Sequence, residues 1–404
     1  MAHPPQRILI VLRRLAMGGI EQASLTLANA MAREGHEVHL LVLKGSGQLQ
    51  PDPAVTVHCC HLERRARRRP LGMLWNLCSR VLLKPLLPRS GFVWQGLACG
   101  PVFHDCLQRL EAEHGRFDLV LVRGQGAYEL LWTIRDPRLW LVVEAVTGHF
   151  GTGPLGRFLL RRLYRQRQLV MVSHGVEQAL LARLHNSGVA PARHRVIHNA
   201  VPLALLRQKA RAPCRPAIAA PYLVHVARLV PVKNQALLLQ AYALARGRGL
   251  DMPLVLIGDG SQRAALQHLA DRLDIAPFVH FLGQQDNPFP WVAAASALVL
   301  SSRFEGLGLV LIEALALGTQ CVATRAPGGI AEVLVGEQQR LLAEPTAESL
   351  ADKMLEAITH PVTINPEWVE RFSEPRIVRA FLDLIPLAGS TELPCPNNNI
   401  INTP

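Results

Sequence analysis

The strongest constraint on the fold is a β-α-β unit at the amino end. Ile8-Leu-Ile-Val-Leu12 is an unbroken apolar run, as expected of a strand covered on both faces. A short loop ends in Gly18-Gly19, a helical period covers about residues 20–34, Gly35 stops it, and a second apolar run follows at 38–43. Strand-like runs at 119–122, 139–143, 169–172 and 195–197 then alternate with helical segments. Such alternation gives a parallel sheet with helices on both faces.

Pro202, Pro213, Pro216 and Pro221 thicken a basic interval that reads as a linker, after which the pattern restarts. Residues 222–227 read as a strand, 234–245 as a helix and 254–257 as a strand leading through Gly258-Asp-Gly260 to a helix near 273. Strands at 279–282, 297–300 and 320–323 complete the set, with a helix to 317 after the second. The expectation is an α/β protein of two Rossmann-like domains facing across a cleft: 1–205, a linker at 206–221, and 222–385. The last helix is free to pack back on the first domain. A length of 404 residues suits two cores. Residues 386–404, which include Pro394-Cys-Pro-Asn-Asn-Asn, read as a disordered tail.

Composition removes other classes. The chain is 18% charged and 49% hydrophobic, which argues against long disorder. No 18-residue apolar stretch lacks charge, so no membrane span is expected. Eight cysteines without a CxxC pair or a signal peptide read as reduced thiols in a cytoplasmic protein. His58-Cys59-Cys60-His61 invites a zinc reading, but adjacent ligands on a strand point to opposite faces and cannot close one tetrahedron. No metal and no cofactor is assigned.

Chemistry concentrates in Ser301-Ser-Arg-Phe-Glu-Gly-Leu-Gly-Leu-Val-Leu-Ile-Glu313. Glu305 and Glu313 are eight residues apart at a strand-loop-helix junction. On a helix they would differ by ~80° around the axis and ~12 Å along it, with Glu305 at the helix mouth and Glu313 two turns inside. The backbone amides of Gly306, Leu307, Gly308 and Leu309 could face an anion from the positive helix end. Arg228 and Lys233, in the loop after the first strand of the second domain, supply a guanidinium fork and a compact ammonium suited to a diphosphate leaving group. Glu313 lies among Val310-Leu-Ile and Ala314-Leu-Ala-Leu, and a carboxylate in so apolar a helix needs a partner or a ligand. His174 and His198 read as structural, and Asp259 as a turn former.

Arg228…Lys233 with Glu305…Glu313 resembles the GT-B glycosyltransferases of family 4, which carry an E-x7-E motif. His225-Val-Ala-Arg, Leu-Ile-Gly-Asp-Gly260, Phe-Leu-Gly283 and Pro327-Gly-Gly-Ile-Ala-Glu332 extend the likeness. So do Gly18-Gly19-Ile-Glu-Gln, Val172-Ser-His-Gly175 and Val196-Ile-His-Asn199, over roughly residues 7–385. The resemblance implies a nucleoside-diphosphate sugar donor, UDP preferred, retention of configuration and no metal. The absence of any Asp-x-Asp fits the last point. It also implies roles: Glu313 on the donor ribose, Glu305 on the donor sugar, Arg228 and Lys233 on the diphosphate, Gly283 near the base, and Gly19 near the donor phosphate or acceptor. Where relatives place a histidine, this chain has Glu144, with His149 five residues on, and neither is assigned the acceptor proton.

The net charge of +12 is uneven. Residues 1–213 hold 29 Lys+Arg against 13 Asp+Glu, giving +16, and the remainder hold 14 against 18, giving −4. Two clusters carry the excess: Arg64–Arg69, followed by Leu71-Gly-Met-Leu-Trp75 and Val81–Leu87, and Arg157–Arg167. Basic residues beside apolar ones suit an anionic membrane surface at the inner face of the plasma membrane, a solvated face being the plainer alternative. No nucleic-acid-binding pattern is present. The expected function is sugar transfer to a hydroxyl of a lipid-linked or envelope glycan, such as lipopolysaccharide. Alternatives are another GT-B activity (an epimerase or phosphorylase) or a non-catalytic glycan- or lipid-binding relative.

Overall fold

The computed structural model describes residues 4–15, 18–45, 49–70, 72–74, 91–146, 153–213, 218 and 221–386. It divides into two compact units, Met1–Leu141 with Pro375–Pro404, and Val142–Glu374. The expected tail at 387–404 lies outside the described residues.

Seven strands form the first sheet: β1 (Arg7–Leu12), β2 (Glu37–Val42), β3 (Val55–Cys59), β4 (Leu119–Arg123), β5 (Leu139–Val143), β6 (Gln168–Met171) and β7 (Arg193–Val196). Their order is β3-β2-β1-β4-β5-β6-β7. The β1–β2, β1–β4, β2–β3 and β6–β7 pairs are parallel. Between them run α1 (Gly19–Arg33), α2 (Leu62–Arg68), α3 (Gly91–His114), α4 (Pro154–Tyr164) and α5 (His174–His185). β1, β4 and β5 are buried from Ile8 to Leu12, Leu119 to Arg123 and Leu139 to Val143, which explains their continuous apolar sequence.

Helix α6 (Leu203–Lys209) occupies the start of the proline-rich interval read as a linker. The second sheet comprises β8 (Leu223–Val226), β9 (Leu254–Ile257), β10 (Val279–Gly283), β11 (Ala297–Leu300), β12 (Cys321–Thr324) and β13 (Leu342–Ala343), in the order β10-β9-β8-β11-β12-β13. Every pair is parallel. Helices α7 (Gln235–Gly247), α8 (Arg263–Arg272), α9 (Leu309–Ala316) and α10 (Ala347–Thr359) accompany it, and α11 (Glu374–Leu382) closes the described chain. Leu238, Leu239 and Tyr242 of α7 and Leu350 and Met354 of α10 meet Leu254, Leu256 and Val299 in one apolar core. Each such fully buried leucine contributes about 1.5–3 kcal/mol. The core therefore holds β8 and β11 rigidly, and their loops carry the predicted site.

Candidate active site

Because all six strands of the second sheet run the same way, their carboxyl ends share one edge. The chain leaves β8 toward β9 and β10 on one side and β11 toward β12 and β13 on the other. The β8 and β11 loops therefore flank a topological switch point, where open α/β sheets bind ligands. One loop carries Arg228 and Lys233, the other Glu305.

Lys233 Nζ donates to Glu305 Oε1 at 2.5 Å, and Ser302 Oγ donates to the same oxygen at 2.5 Å. Glu305 is only 8% exposed, so this partnership relieves a carboxylate that burial alone would penalise. Ser301 Oγ donates to the Lys233 carbonyl at 3.0 Å and Thr324 Oγ1 to the Ser302 carbonyl at 2.9 Å, tying the β11 loop to its neighbours on both sides.

Glu305 does not sit on the helix. It forms an isolated parallel bridge with Gly328, accepting from Gly329 N at 3.1 Å. Gly328 has φ +111°, and a Cβ there would lie 1.6 Å from the Glu305 carbonyl oxygen. α9 begins only at Leu309, behind Gly308 with φ +84°. The helical projection of the two glutamates is thus corrected: a left-handed residue separates them, and Glu313 is the fifth residue of the helix rather than two turns inside. The amides of Gly306, Leu307, Gly308 and Leu309 find no backbone acceptor among the described residues. They stand at the positive end of α9.

Glu313 is half-buried. Desolvation pushes its pKa up to about 7, with Lys209 pulling the other way. No hydrogen bond to its carboxylate is made among the described residues. Arg228 is exposed and carries no ion pair among the described residues. Its backbone is fixed by a relay: Gln235 Nε2 donates to the Arg228 carbonyl at 2.9 Å and lies 3.2 Å from His225 Nε2, while His225 Nδ1 lies 2.8 Å from the Val299 carbonyl. Burial pushes His225 down to about 4, so the ring is neutral, donating from Nδ1 and accepting at Nε2. Gly283 ends β10 with its carbonyl accepting from Gly258 N at 2.8 Å.

Within the same unit, Ser173 Oγ caps α5 by accepting from Val176 N and donates to the Gly306 carbonyl at 2.6 Å. A Cβ on Gly306 would lie 2.1 Å from the Glu144 carbonyl oxygen, so only glycine permits that approach. Glu332 accepts from Gly175 N at 2.8 Å and pairs with His198 at 3.2 Å. Burial would raise the Glu332 pKa, but the His198 contact and the His174 and Gly175 amides outweigh it and hold it low. Glu144 accepts from Asn199 Nδ2 at 2.9 Å, while His149 lies outside the described residues. Gly19 opens α1 in the other unit, and a Cβ there would meet nothing within 4 Å. The sequence singles out Lys233 and Glu305 separately, while their ion pair, Ser302, Ser173, Gln235 and the clasping role of Glu332 emerge only in the structure. Ser302 alone carried a signal, three residues before a candidate carboxylate in a strand-to-helix loop.

The model for glycosyl transferases group 1 matches residues 209–374, and that for a glycosyl transferase 4-like domain matches 18–200. The chain belongs to the GT-B glycosyltransferase family, and family 4 fits it. Among its relatives is the N-acetylgalactosamine-N,N'-diacetylbacillosaminyl-diphospho-undecaprenol 4-alpha-N-acetylgalactosaminyltransferase of Campylobacter jejuni, 31% identical over 48% of this chain and 52% of that protein. Another is the lipopolysaccharide core biosynthesis glycosyltransferase LpsE of Rhizobium meliloti, 33% identical over 41% and 50%. The chain therefore spans about half the length of these curated relatives. Anabaena HepE, crystallised with UDP and glucose, shares the fold with a TM-score of 0.66 at 18% identity, over 94% of this chain and 98% of that one.

The chain carries most of both arginine clusters on short helices. On α2, Arg64, Arg65, Arg67 and Arg68 are exposed, and Met73 and Leu74 just beyond are 61% and 58% exposed. Leu71, Trp75 and residues 81–87 lie outside the described residues. On α4, Arg157, Arg161 and Arg162 are exposed, with the Arg162 guanidinium over the Phe158 ring. Arg167 departs from the expectation: it is buried and cannot serve a surface. Among the described residues, no helix is long and apolar enough to cross a membrane.

Proposed function

We propose that this glycosyltransferase moves a sugar from a nucleoside-diphosphate donor, UDP preferred, to a hydroxyl of a lipid-linked or envelope glycan, with retention and without a metal. The observation that carries the reading is the Lys233–Glu305–Ser302 cluster at the switch point, beside the unspent amides of Gly306–Leu309. Lys233 and Arg228 stabilise the charge that develops on the departing diphosphate, and the helix amides share it. Glu305 orients the donor sugar, Glu313 takes the ribose hydroxyls, and Gly283 flanks the base. Lys233 is already held by Glu305 before the donor arrives, so little reorganisation accompanies charge development.

The donor class is supported by the UDP and glucose bound in Anabaena HepE, and the acceptor class by the diphospho-undecaprenol in one relative's name and the lipopolysaccharide core biosynthesis in another's. The exposed arginines of α2 and α4, beside Met73, Leu74 and Phe158, bring the enzyme to an anionic membrane where such acceptors reside. The acceptor proton has no assigned base, Glu144 being engaged by Asn199. The test is release of free UDP from UDP-sugars with and without lipid-linked acceptor. Acceptor-dependent release supports transfer, whereas interconversion of the donor without acceptor would mark an epimerase. Sedimentation with phosphatidylglycerol vesicles but not phosphatidylcholine vesicles tests the membrane arm.

A further inference from the structure

Three histidines gather in the first unit, on β2, β3 and the end of α3. His39 is on β2 and His58 on β3, where the parallel register sets His39 against Thr56 and Leu41 against His58. Side chains alternate along a strand, so Thr56 and His58 project on the same face as His39, and the two histidines are diagonal neighbours. His114, the last residue of α3, completes the group from above that face. The ring centres are 4.7, 5.2 and 5.3 Å apart, and one ligand nitrogen from each ring falls within 4.8 Å of the others.

These separations match a metal centre. Three imidazoles around a tetrahedral zinc with Zn–N near 2.05 Å have ring centres about 5 Å apart and nitrogens about 3.3 Å apart. His39 Nδ1 and His58 Nε2 are 2.9 Å apart, so only a small opening admits the ion. His39 also has the outer partner a metal-bound histidine requires. Its Nε2–H donates to Glu37 Oε1 at 3.0 Å, which fixes the tautomer and leaves Nδ1 bare. Glu37 is in turn gripped by Arg7, with Nε and Nη2 both 2.8 Å from Oε2. His39 is buried against Phe117, whereas His58 and His114 are half-buried, so the group opens to solvent on their side.

We propose that His39, His58 and His114 form a three-histidine site for a divalent transition-metal ion of the zinc class, with Glu37 as the outer-shell carboxylate. When the ion enters, the proton that bridges His58 Nε2 and His39 Nδ1 moves to His58 Nδ1, so both ligating nitrogens offer lone pairs. The ion ties the edge pair β2–β3 to the end of α3. It has no part in the transfer reaction proposed above.

The test uses tag-free, chelator-stripped full-length protein titrated with cobalt(II) alone and, in parallel, zinc alone. The expected result is one equivalent of cobalt with the strong visible absorption of four-coordinate Co(II), displaced by zinc. His58→Gln and His114→Gln should each abolish that band, and Glu37→Ala should weaken binding about 10–100-fold. A wild-type protein that gives no band, or a band that survives both histidine substitutions, overturns the site whether or not any variant folds poorly. Because the readout is metal binding, failure here leaves the transferase reading intact, and loss of UDP release would not touch this one.

Discussion

Lys233 Nζ and Glu305 Oε1 meet at 2.5 Å across 72 residues of sequence, joining the loops after β8 and β11. The pair is mostly shielded from water, so each partner is costly to leave alone. Lys233→Ala should lower kcat by about 10²–10³-fold through loss of charge stabilisation on the leaving group. Glu305→Gln, which keeps the Ser302 contact but leaves the Lys233 ammonium without its counter-charge, should reduce turnover and lower the melting temperature as well. Steady-state kinetics with matched thermal melts check both, and wild-type kcat in Lys233→Ala would remove Lys233 from the chemistry.

Glu313 offers a second readout, since its carboxyl titrates near pH 7 in the free protein. Hydroxyls of a bound ribose donate to the ionised form and therefore lower that pKa. Donor binding near pH 7 should release a fraction of a proton, because burial keeps part of the free group protonated there. Calorimetry of UDP binding in buffers of different ionisation enthalpy measures the release. Glu313→Gln should abolish it, and an equal release from that variant would assign the proton to another group.

What sequence made legible follows from burial. β1, β4, β5, β9 and β11 are buried along nearly their whole length and announce themselves as apolar runs. β3 does not: it is Val-Thr-Val-His-Cys, an edge strand with three exposed positions, and its pairing with β2 is set by tertiary context. The partnership of His39 and His58 depends on the β2–β3 register, which the contiguous His58-Cys59-Cys60-His61 does not reveal. α3 was equally opaque, since Gly96, Gly100 and Pro101 weaken its helical signal. Its glycines answer to packing, for a Cβ on Gly96 would lie 2.2 Å from the Trp132 ring. At the site, residue types and spacing singled out Lys233 and Glu305, but the place of Glu305 off the helix rests on its bridge to Gly328, one helix and one strand later in the chain.

Two glycines separate fold from function. Gly328→Ala puts a methyl 1.6 Å from the Glu305 carbonyl oxygen at φ +111°, so crowding and backbone strain together should destabilise by about 2–4 kcal/mol. Gly19→Ala meets no neighbour within 4 Å at the start of α1 and should leave stability equal or slightly higher. If Gly19 approaches the donor phosphate or acceptor, the methyl should nonetheless raise KM. Denaturant melts and kinetics on both variants decide the matter. A Gly19→Ala enzyme with unchanged kinetics would strip that residue of its proposed contact.

The acid limb of stability should report His225. Buried and neutral, it has a folded pKa of about 4 against an unfolded value of 6.5. Between those values the unfolded chain binds a proton that the folded chain refuses, so stability is present above pH 6.5 and is lost as pH falls. The loss between pH 7 and 5 should be about 2 kcal/mol. Glu313 runs in the opposite sense: its folded pKa of about 7 exceeds the unfolded 4.5, so its share of stability falls as pH rises through that window. Partial exposure discounts that term to about 1–2 kcal/mol, which opposes the His225 slope in the wild type. Glu313→Gln should therefore unmask the histidine, giving a protein distinctly less stable at pH 5 than at pH 7 by urea unfolding. A flat profile in that variant would mean that the His225 ring accepts its proton without disturbing the bond to Val299, and that the relay through Gln235 to Arg228 is looser than its distances indicate.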